Sequence, residues 1–229
     1  IYSTYRKGNL VIKPKIYWRR NQDEYIYIRS NPSIYRNLHK TNKIVLETNF
    51  NYFSEFGKTS FGIDFSNVSI SSNNLGNHNR FTTSAYIDHT IKLLNDRLTL
   101  SPGLSITYFS DLSFHSFPGI DFGFDLNERI SVYGNFGKTY RIPTYTDLYY
   151  SDRTTLGNSE LEPESANNSE FGFKYNSEKI IFKTAIFSRK SKNIIDYVKN
   201  GKDDLWQATN IGSLKTNGLE SDILIKISN

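Results

Sequence analysis

Arg97–Phe109 reads RLTLSPGLSITYF, and its spacing decides the fold class. Leu98, Leu100, Leu104, Ile106 and Tyr108 are apolar, and Thr99, Ser101, Gly103, Ser105 and Thr107 stand between them. A repeat of two belongs to a strand, whose successive side chains point to opposite faces; a helix repeats near 3.6. The alternation extends both ways along the chain. Asn42–Phe53 sets Ile44, Leu46, Phe50 and Tyr52 against Lys43, Glu47, Asn49 and Asn51. Phe114–Leu126 sets Phe114, Ile120, Phe122, Phe124 and Leu126 against His115, Asp121 and Asp125. Ile130, Val132 and Phe136 continue it, as do Phe171, Phe173 and Tyr175. No helical stripe competes, so the chain is predicted to be all-β.

Turn signals divide the chain into about eleven strands, near 1–6, 9–29, 42–53, 59–71, 80–94, 97–109, 114–126, 129–141, 167–176, 179–198 and 205–227. Tight connections at Lys7-Gly8, Ser54–Lys58, Asn95-Asp96, Asn127-Glu128 and Ser177-Glu178 alternate with generally longer ones. The longer set is Ser30–Thr41, Ser72–Asn79, Ser110–Ser113, Ile142–Ala166 and Lys199–Asp204. Short turns at one end and long loops at the other predict an antiparallel up-and-down transmembrane β-barrel of the outer-membrane kind. Strands of about 12 residues or more also exceed the usual soluble length.

Composition is consistent with that reading. The 229 residues carry 28 Lys+Arg against 23 Asp+Glu, a formal net charge of +5. With 16 Tyr, 16 Phe and 2 Trp the chain is too aromatic for a disordered segment. Mean hydropathy is nevertheless −0.53, and no stretch approaches the roughly 18 apolar residues of a spanning helix. A barrel reconciles the two, because only a band of one face meets lipid. The polar face is mostly small and neutral, and Tyr and Phe gather near strand ends as interfacial girdles do. A soluble β-sandwich or lectin-like module would give the same alternation with its apolar face turned inward, and it stays open at this point. The absence of Cys excludes disulfides, thiolate metal sites and Cys nucleophiles. The basic residues form no block of like charge that would serve as a nucleic-acid arm. The chain lacks Met and opens on IYSTYR, as a processed product or fragment would.

Tyr133–Glu164, YGNFGKTYRIPTYTDLYYSDRTTLGNSELEPE, resembles TonB-dependent outer-membrane receptors. Tyr140-Arg141-Ile142-Pro143-Thr144 is similar to that family's aromatic-Arg-x-Pro-Thr strand end, and Asp147-Leu148-Tyr149 to its aromatic and acidic loop. Gly157-Asn158-Ser159-Glu160-Leu161-Glu162-Pro163-Glu164 is similar to its Gly-Asn-x-x-Leu-x-Pro-Glu element. Asn210-Ile211-Gly212 and Gly218-Leu219-Glu220 resemble later landmarks. Within the family, Asn31–His39, Ser72–Gly76, Pro118–Asp121, Thr146–Tyr150 and Asn193–Tyr197 resemble the cobalamin receptor branch of Bacteroidota. The resemblance implies a cell outer-membrane location and active import of a scarce nutrient, cobalamin or a related corrinoid, energised by TonB. A surface lipoprotein cap is a possible partner. Siderophore, haem and glycan receptors share the scaffold and remain alternatives. Such receptors have 22-stranded barrels, so 1–229 is expected to be the middle part of one. The plug domain with its TonB box and the C-terminal strands are expected to lie outside the sequence. Asn229 at the end is not the terminal aromatic such proteins usually present. A closed eleven-strand barrel conflicts with the even strand numbers of bacterial barrels.

No enzyme chemistry emerges from the residues. His39, His78, His89 and His115 lie in separate segments without metal-ligand spacing, although His39 and His78 are expected in consecutive long loops on one side. No strand–GxSxG–helix context supports a Ser nucleophile. Arg141 and Pro143 suit a structural role at the rim, with Arg141 paired to a loop carboxylate. Glu160, Glu162 and Glu164 would point together if extended, and satisfying Arg or backbone N–H groups suits them better than binding a cation. Asp203-Asp204 with Asp152 offer loop-tip carboxylates for calcium, although such tips are usually just solvated. The ligand-contact candidates are Tyr145, Asp147, Tyr149, Tyr150 and Arg153, with Tyr35 and Trp206 behind them. Aromatic faces and phenol hydroxyls suit a large ligand in a wet vestibule, and they equally suit loop packing.

Overall fold

The protein was analysed as a computed structural model that describes residues 1–227. The expectation resting on Asn229 lies outside the described residues. The alternating segments form β1 (Tyr5–Lys7), β2 (Leu10–Ile26), β3 (Arg36–Ser54), β4 (Gly57–Ser72), β5 (Gly76–Leu93) and β6 (Leu98–Phe109). β7 (Ser113–Asp125) and β8 (Ile130–Arg141) follow, then a short helix α1 (Tyr145–Tyr149) and a two-residue strand β9 (Thr155–Leu156). β10 (Glu164–Asn176), β11 (Ile180–Val198) and β12 (Trp206–Ile225) complete the chain. All belong to one sheet of order β1-β2-β3-β4-β5-β6-β7-β8-β10-β11-β12-β9. Each long strand pairs antiparallel with its neighbours in sequence, as in an up-and-down barrel wall. The expected strands are all present. β9, inside the longest loop and parallel to the start of β12, is the addition.

The loops are tidier than the turn signals implied. β3 begins at Arg36 rather than near 42, because its ladder with β2 continues from Asn42 through Lys40 to Arg36. These outer positions are mostly polar, so apolar alternation stops before hydrogen bonding does. The expected loop Ser72–Asn79 shrinks to 73–75, turning through Gly76 at φ +82. The connection between β6 and β7 is equally tight. Only 27–35, 142–163 and 199–205 remain extended connections.

The registers put the apolar positions of successive strands on one face. Ile12 faces Phe50, Phe50 faces Phe61, Phe61 faces Ile87, and Ile87 faces Leu104. Farther on, Gly134 faces Phe171, Phe171 faces Ile186, and Ile186 faces Leu219. Neighbours pack on that face, with the Phe50 and Phe61 rings stacked at 4.5 Å. The face as a whole is open: Ile87 is 53% exposed and Leu219 69%. The opposite face is hydrogen-bonded and polar. Tyr86 donates to Asn49 Oδ1 at 2.7 Å, Asn49 donates to Glu47 Oε1 at 2.6 Å, and Thr107 donates to Ser84 at 3.0 Å. A soluble sandwich would cover its apolar row with a second layer. Among the described residues nothing covers it, and besides Pro143 only nine apolar side chains are buried. The arrangement is that of a barrel wall, apolar toward lipid and polar toward the lumen.

Burial is concentrated at the loop end. Leu148, Leu161, Ile195 and Ala208 form one cluster, flanked by Tyr149 and Tyr197. It joins the 142–163 connection to β11 and β12 on the polar face of the sheet.

Candidate functional site

The 142–163 connection is the best-anchored loop of the molecule, and its construction starts at Pro143. This fully buried proline ends the pairing of β8 and carries a carbonyl that accepts from Arg80 Nη1 at 3.1 Å. Thr144 then caps α1. Its hydroxyl accepts from Asp147 N at 3.1 Å, and Asp147 Oδ2 accepts from Thr144 N at 2.9 Å, a reciprocal box that starts so short a helix. The same carboxylate takes Arg141 Nη2 at 3.1 Å. Arg141 Nη1 reaches Glu164 Oε1 at 2.9 Å, and that oxygen also accepts from Ile195 N at 2.8 Å. Arg141 therefore ties the end of β8 to α1 and to β10, and Glu164 continues the tie to β11.

The tyrosines of α1 reach the other way, toward β3–β5. Tyr145 donates to Val68 O at 3.0 Å, and the Arg80 guanidinium lies 5.3 Å from its ring. Tyr149 stacks on His78 with ring centroids 3.6 Å apart, while His78 Nε2 meets Leu75 O at 2.6 Å. Tyr150 and Tyr35 share a hydrogen bond of 3.1 Å, and Asn37 donates to Tyr35 at 3.2 Å. Asn74 donates to Ser151 O at 2.7 Å. One helical turn thus touches β4 and β5 on one side and β11 and β12 on the other. In a flat sheet β4 and β11 would stand six strand spacings apart, about 29 Å at the usual 4.8 Å. A five-residue helix is only about 7.5 Å long. The sheet therefore curls, and the loop sits in its concavity at the mouth.

The return path is equally fixed. A Cβ on Gly157 would stand 2.8 Å from Leu148 C and Tyr149 N, so only glycine lets this strand of the loop pass α1. Asn158 N donates to Asp147 O at 2.9 Å. Leu161 fills the buried cluster at 3% exposure. Asn210 clamps the next turn, accepting from Glu162 N at 2.8 Å and donating to Glu162 O at 2.9 Å. Glu160, Glu162 and Glu164 do not converge. Glu164 goes to Arg141, Glu162 accepts from Asn193 at 2.8 Å, and Glu160 lies exposed in a turn held by Asn158.

Electrostatics at the mouth centre on Tyr150 and Asp152. The Tyr150 phenol is pushed well above its ordinary range, first by its bond to Tyr35, then by burial and by Asp152. Burial works against ionisation of Asp152. Hydrogen bonds from Thr154 N–H, the Tyr150 and Thr154 hydroxyls and Thr155 N–H outweigh it and hold the carboxyl below its ordinary value. Burial also raises the Tyr145 phenol, opposed by the nearby Arg80 charge.

Among the sequence candidates, Tyr35, Tyr145, Asp147, Tyr149 and Tyr150 are brought together in one network. Their polar atoms are largely occupied by the protein itself. Arg153 is exposed beside them, and Trp206 is exposed at the start of β12, with Lys199 5.9 Å from its ring. His39 and His78 prove to lie on β3 and β5 rather than in loops, and they bond to Ser72 and to Leu75 O. Asp152 is turned into its own Asx turn. Among the described residues no group of three or more His, Asp or Glu could hold a metal ion. Sequence reasoning missed His78 as a stacking partner and Arg80 and Val68 altogether, and it named Asn37 and Ile195 only within longer stretches of resemblance, without a role. The Tyr145–Val68 bond spans 77 residues, a separation no local pattern reports.

Comparison with known proteins places this architecture. Residues 3–225 match the family model described as TonB dependent receptor-like, beta-barrel. The chain is 23% identical over 112 residues to the vitamin B12 transporter BtuB of Vibrio vulnificus, 49% of this chain and 18% of that protein. It is 26% identical over 123 residues to a probable hemoglobin and hemoglobin-haptoglobin-binding protein of Haemophilus influenzae, 45% of this chain and 12% of that one. In structure it is similar to a mutant of the ferric enterobactin receptor PfeA of Pseudomonas aeruginosa. The TM-score is 0.81 at 15% identity, over 96% of this chain and 39% of the other. The chain thus spans well under half the length of these relatives. With its lipid-facing row, polar inner face and mouth tied by the 142–163 loop, the chain belongs to the TonB-dependent receptor β-barrel family, a family of outer-membrane receptors and not of enzymes.

Proposed function

We propose that the chain is part of the barrel wall of a receptor that binds and imports a scarce nutrient, cobalamin or a related corrinoid, with energy delivered by TonB. In this proposal 1–229 is the middle of a longer barrel whose plug domain and further strands lie outside this sequence. The two sheet edges and the share of its relatives' length that the chain spans support that division. The corrinoid assignment is carried by the match to a vitamin B12 transporter. The inward-folded 142–163 loop supplies a pre-ordered mouth for a large ligand that is partly polar and partly apolar. Tyr145, Asp147 and Tyr149 act as posts that hold the mouth open at a fixed width. Arg153, Tyr35 and Tyr150 meet the ligand, with Trp206 at the outer edge. A surface lipoprotein would cap the same opening. No bond is made or broken; the wall provides shape, a wet polar lining and loop contacts.

Haem or a siderophore is the second reading, favoured by the similarity to a haemoglobin-binding protein. Equilibrium binding of cyanocobalamin to the full-length receptor separates the two. Nanomolar affinity, lowered at least tenfold by Arg153→Ala, supports the corrinoid reading. Micromolar or weaker affinity beside tight binding of haem or an iron chelate rejects it.

A further inference from the structure

Between β7 and β8 the ladder stops short of the loop end. It runs from Asp125↔Ser131 to Gly119↔Gly137 and no farther. The ladders on either side continue to the rim: β6 and β7 stay paired as far as Phe109 and Ser113, and β8 and β10 as far as Arg141 and Glu164. Residues 113–118 and 138–141 therefore face each other as two strand edges without ladder pairs. Pro118 is the cause. Asp125 N bonds to Arg97 O toward β6, and Leu126 N to Ile130 O toward β8, so even-numbered positions of β7 turn their N–H to β8. Pro118 holds an even position, next in register to Lys138, and has no N–H with which to close that rung.

Side chains occupy the seam that results. Tyr140 shares the outward positions of β8 with Phe136, whereas His115 and Phe117 share the lumen side of β7 with Asp121. The Tyr140 ring nevertheless lies 4.7 Å from His115 and 5.3 Å from Phe117 between centroids, because the strands part here. Arg80 of β5 closes the top of the seam. Its Nε donates to Asp111 Oδ1 at 2.9 Å and Oδ2 at 2.8 Å, and its Nη1 to Pro143 O at 3.1 Å. Asp111 stands two residues before β7, and Pro143 two residues after β8. One guanidinium thus holds both strand ends that lack a common ladder. Its approach to the Tyr145 ring, at 5.3 Å, extends the hold to α1. The Arg80 side chain is only 14% exposed and Pro143 is fully buried, so water competes little for these bonds.

We infer that Arg80 is a positioning residue for the mouth, a latch that joins Asp111 to Pro143 across the unpaired β7–β8 seam. This rests on the mouth being the ligand site, as proposed above, and names what fixes its width. The root of the 142–163 loop has no ladder bond to β7, so its place depends on the latch. With the latch closed, α1 stands where Tyr145 meets Val68 O and Tyr149 stacks on His78. Once it is released, the end of β8 parts from β7, and Tyr150 and Arg153 lose their fixed distance from Tyr35. Arginine suits the task, since its planar fork serves a carboxylate and a carbonyl at once. Arg80 itself need not touch the ligand.

Hydrogen exchange read by mass spectrometry on the full-length receptor in mild detergent, without ligand, tests the latch. Arg80→Ala should speed exchange about tenfold in 138–141 and 144–150 and leave 119–125 unchanged. Adding Pro118→Val returns the missing N–H to the seam, and the double variant should recover most of the lost protection. A packing defect confined to the Arg80 site would not be repaired from Pro118. Unchanged exchange in Arg80→Ala, an equal rise along 119–125, or no recovery in the double variant overturns the inference. Cyanocobalamin serves as the ligand probe. Arg80→Ala should weaken its binding about tenfold by loosening a pre-ordered mouth, and the double variant should regain part of that loss. Undiminished binding by Arg80→Ala overturns the positioning role. A parent receptor that does not bind cyanocobalamin rejects the corrinoid reading alone, and the exchange result then decides the latch.

Discussion

Single residues at the mouth do work that their type alone does not announce. Gly157 is one: it stands where a Cβ would press on the backbone of α1. Gly157→Ala is expected to destabilise the loop by about 1–3 kcal/mol, as overpacking does. Limited proteolysis of the full-length receptor should then cut within 142–163 sooner than in the parent, with the barrel intact. Asp152 makes a second, pH-dependent case. Its folded pKa is depressed, so its contribution is complete above the ordinary carboxylate value of about 3.9 and declines as pH falls through the lower folded value. Tyr150 is raised, so its contribution is complete below the ordinary phenol value of about 10 and is lost as pH rises through the higher folded one. Hydrogen exchange at Thr154 and Thr155 should therefore be pH-independent in protection between about 5 and 9 and lose protection in acid. Asp152→Asn should abolish the acid-side change. Tyr150 and Arg153 stood out from the sequence as residue types suited to ligand contact. Their neighbours across the mouth did not, because stacking and hydrogen bonding there join residues far apart in the chain.

At the scale of the element, the 142–163 connection separates what local pattern reports from what it hides. Pro143, Gly157, Asn158, Leu161, Pro163 and Glu164 were recognisable as a family motif, and Arg141 as an arginine awaiting a carboxylate. Two carboxylates take it, Asp147 and Glu164. α1 escaped prediction because it is five residues long and has no room for an amphipathic repeat. Only the Thr144…Asp147 spacing of a capping box was there to mark it. Arg141→Ala should cost about 1–2 kcal/mol, since it strips Asp147, whose side chain is 9% exposed, of its cation partner. Leu161→Ala should cost more, about 2–5 kcal/mol, because it empties the centre of the buried cluster. Differential melting in detergent should rank the two in that order. Equal effects would mean that packing does not dominate the anchor. The loop-end reach of β3, by contrast, could not be read from alternation, because backbone pairing there continues under polar side chains.

For the whole molecule, the exposed apolar row predicts behaviour that a soluble module would not show. The chain produced on its own should associate in detergent-free buffer and become dispersed in detergent, as sedimentation velocity can decide. A compact monomer without detergent would contradict the lipid-facing assignment. Leu104→Lys, in the middle of the row, should destabilise bilayer-inserted receptor by about 2–4 kcal/mol. Thr107→Lys, on the lumen side of the same strand, should cost less. Read without coordinates, the residues determined the all-β class, the up-and-down order, nearly every strand and the motif at the mouth, because period-two alternation and turn chemistry are local properties. The curl of the sheet and the folding of 142–163 into its concavity were decided only by tertiary structure. Each depends on register between strands, and register is a relation between residues that local sequence pattern does not encode.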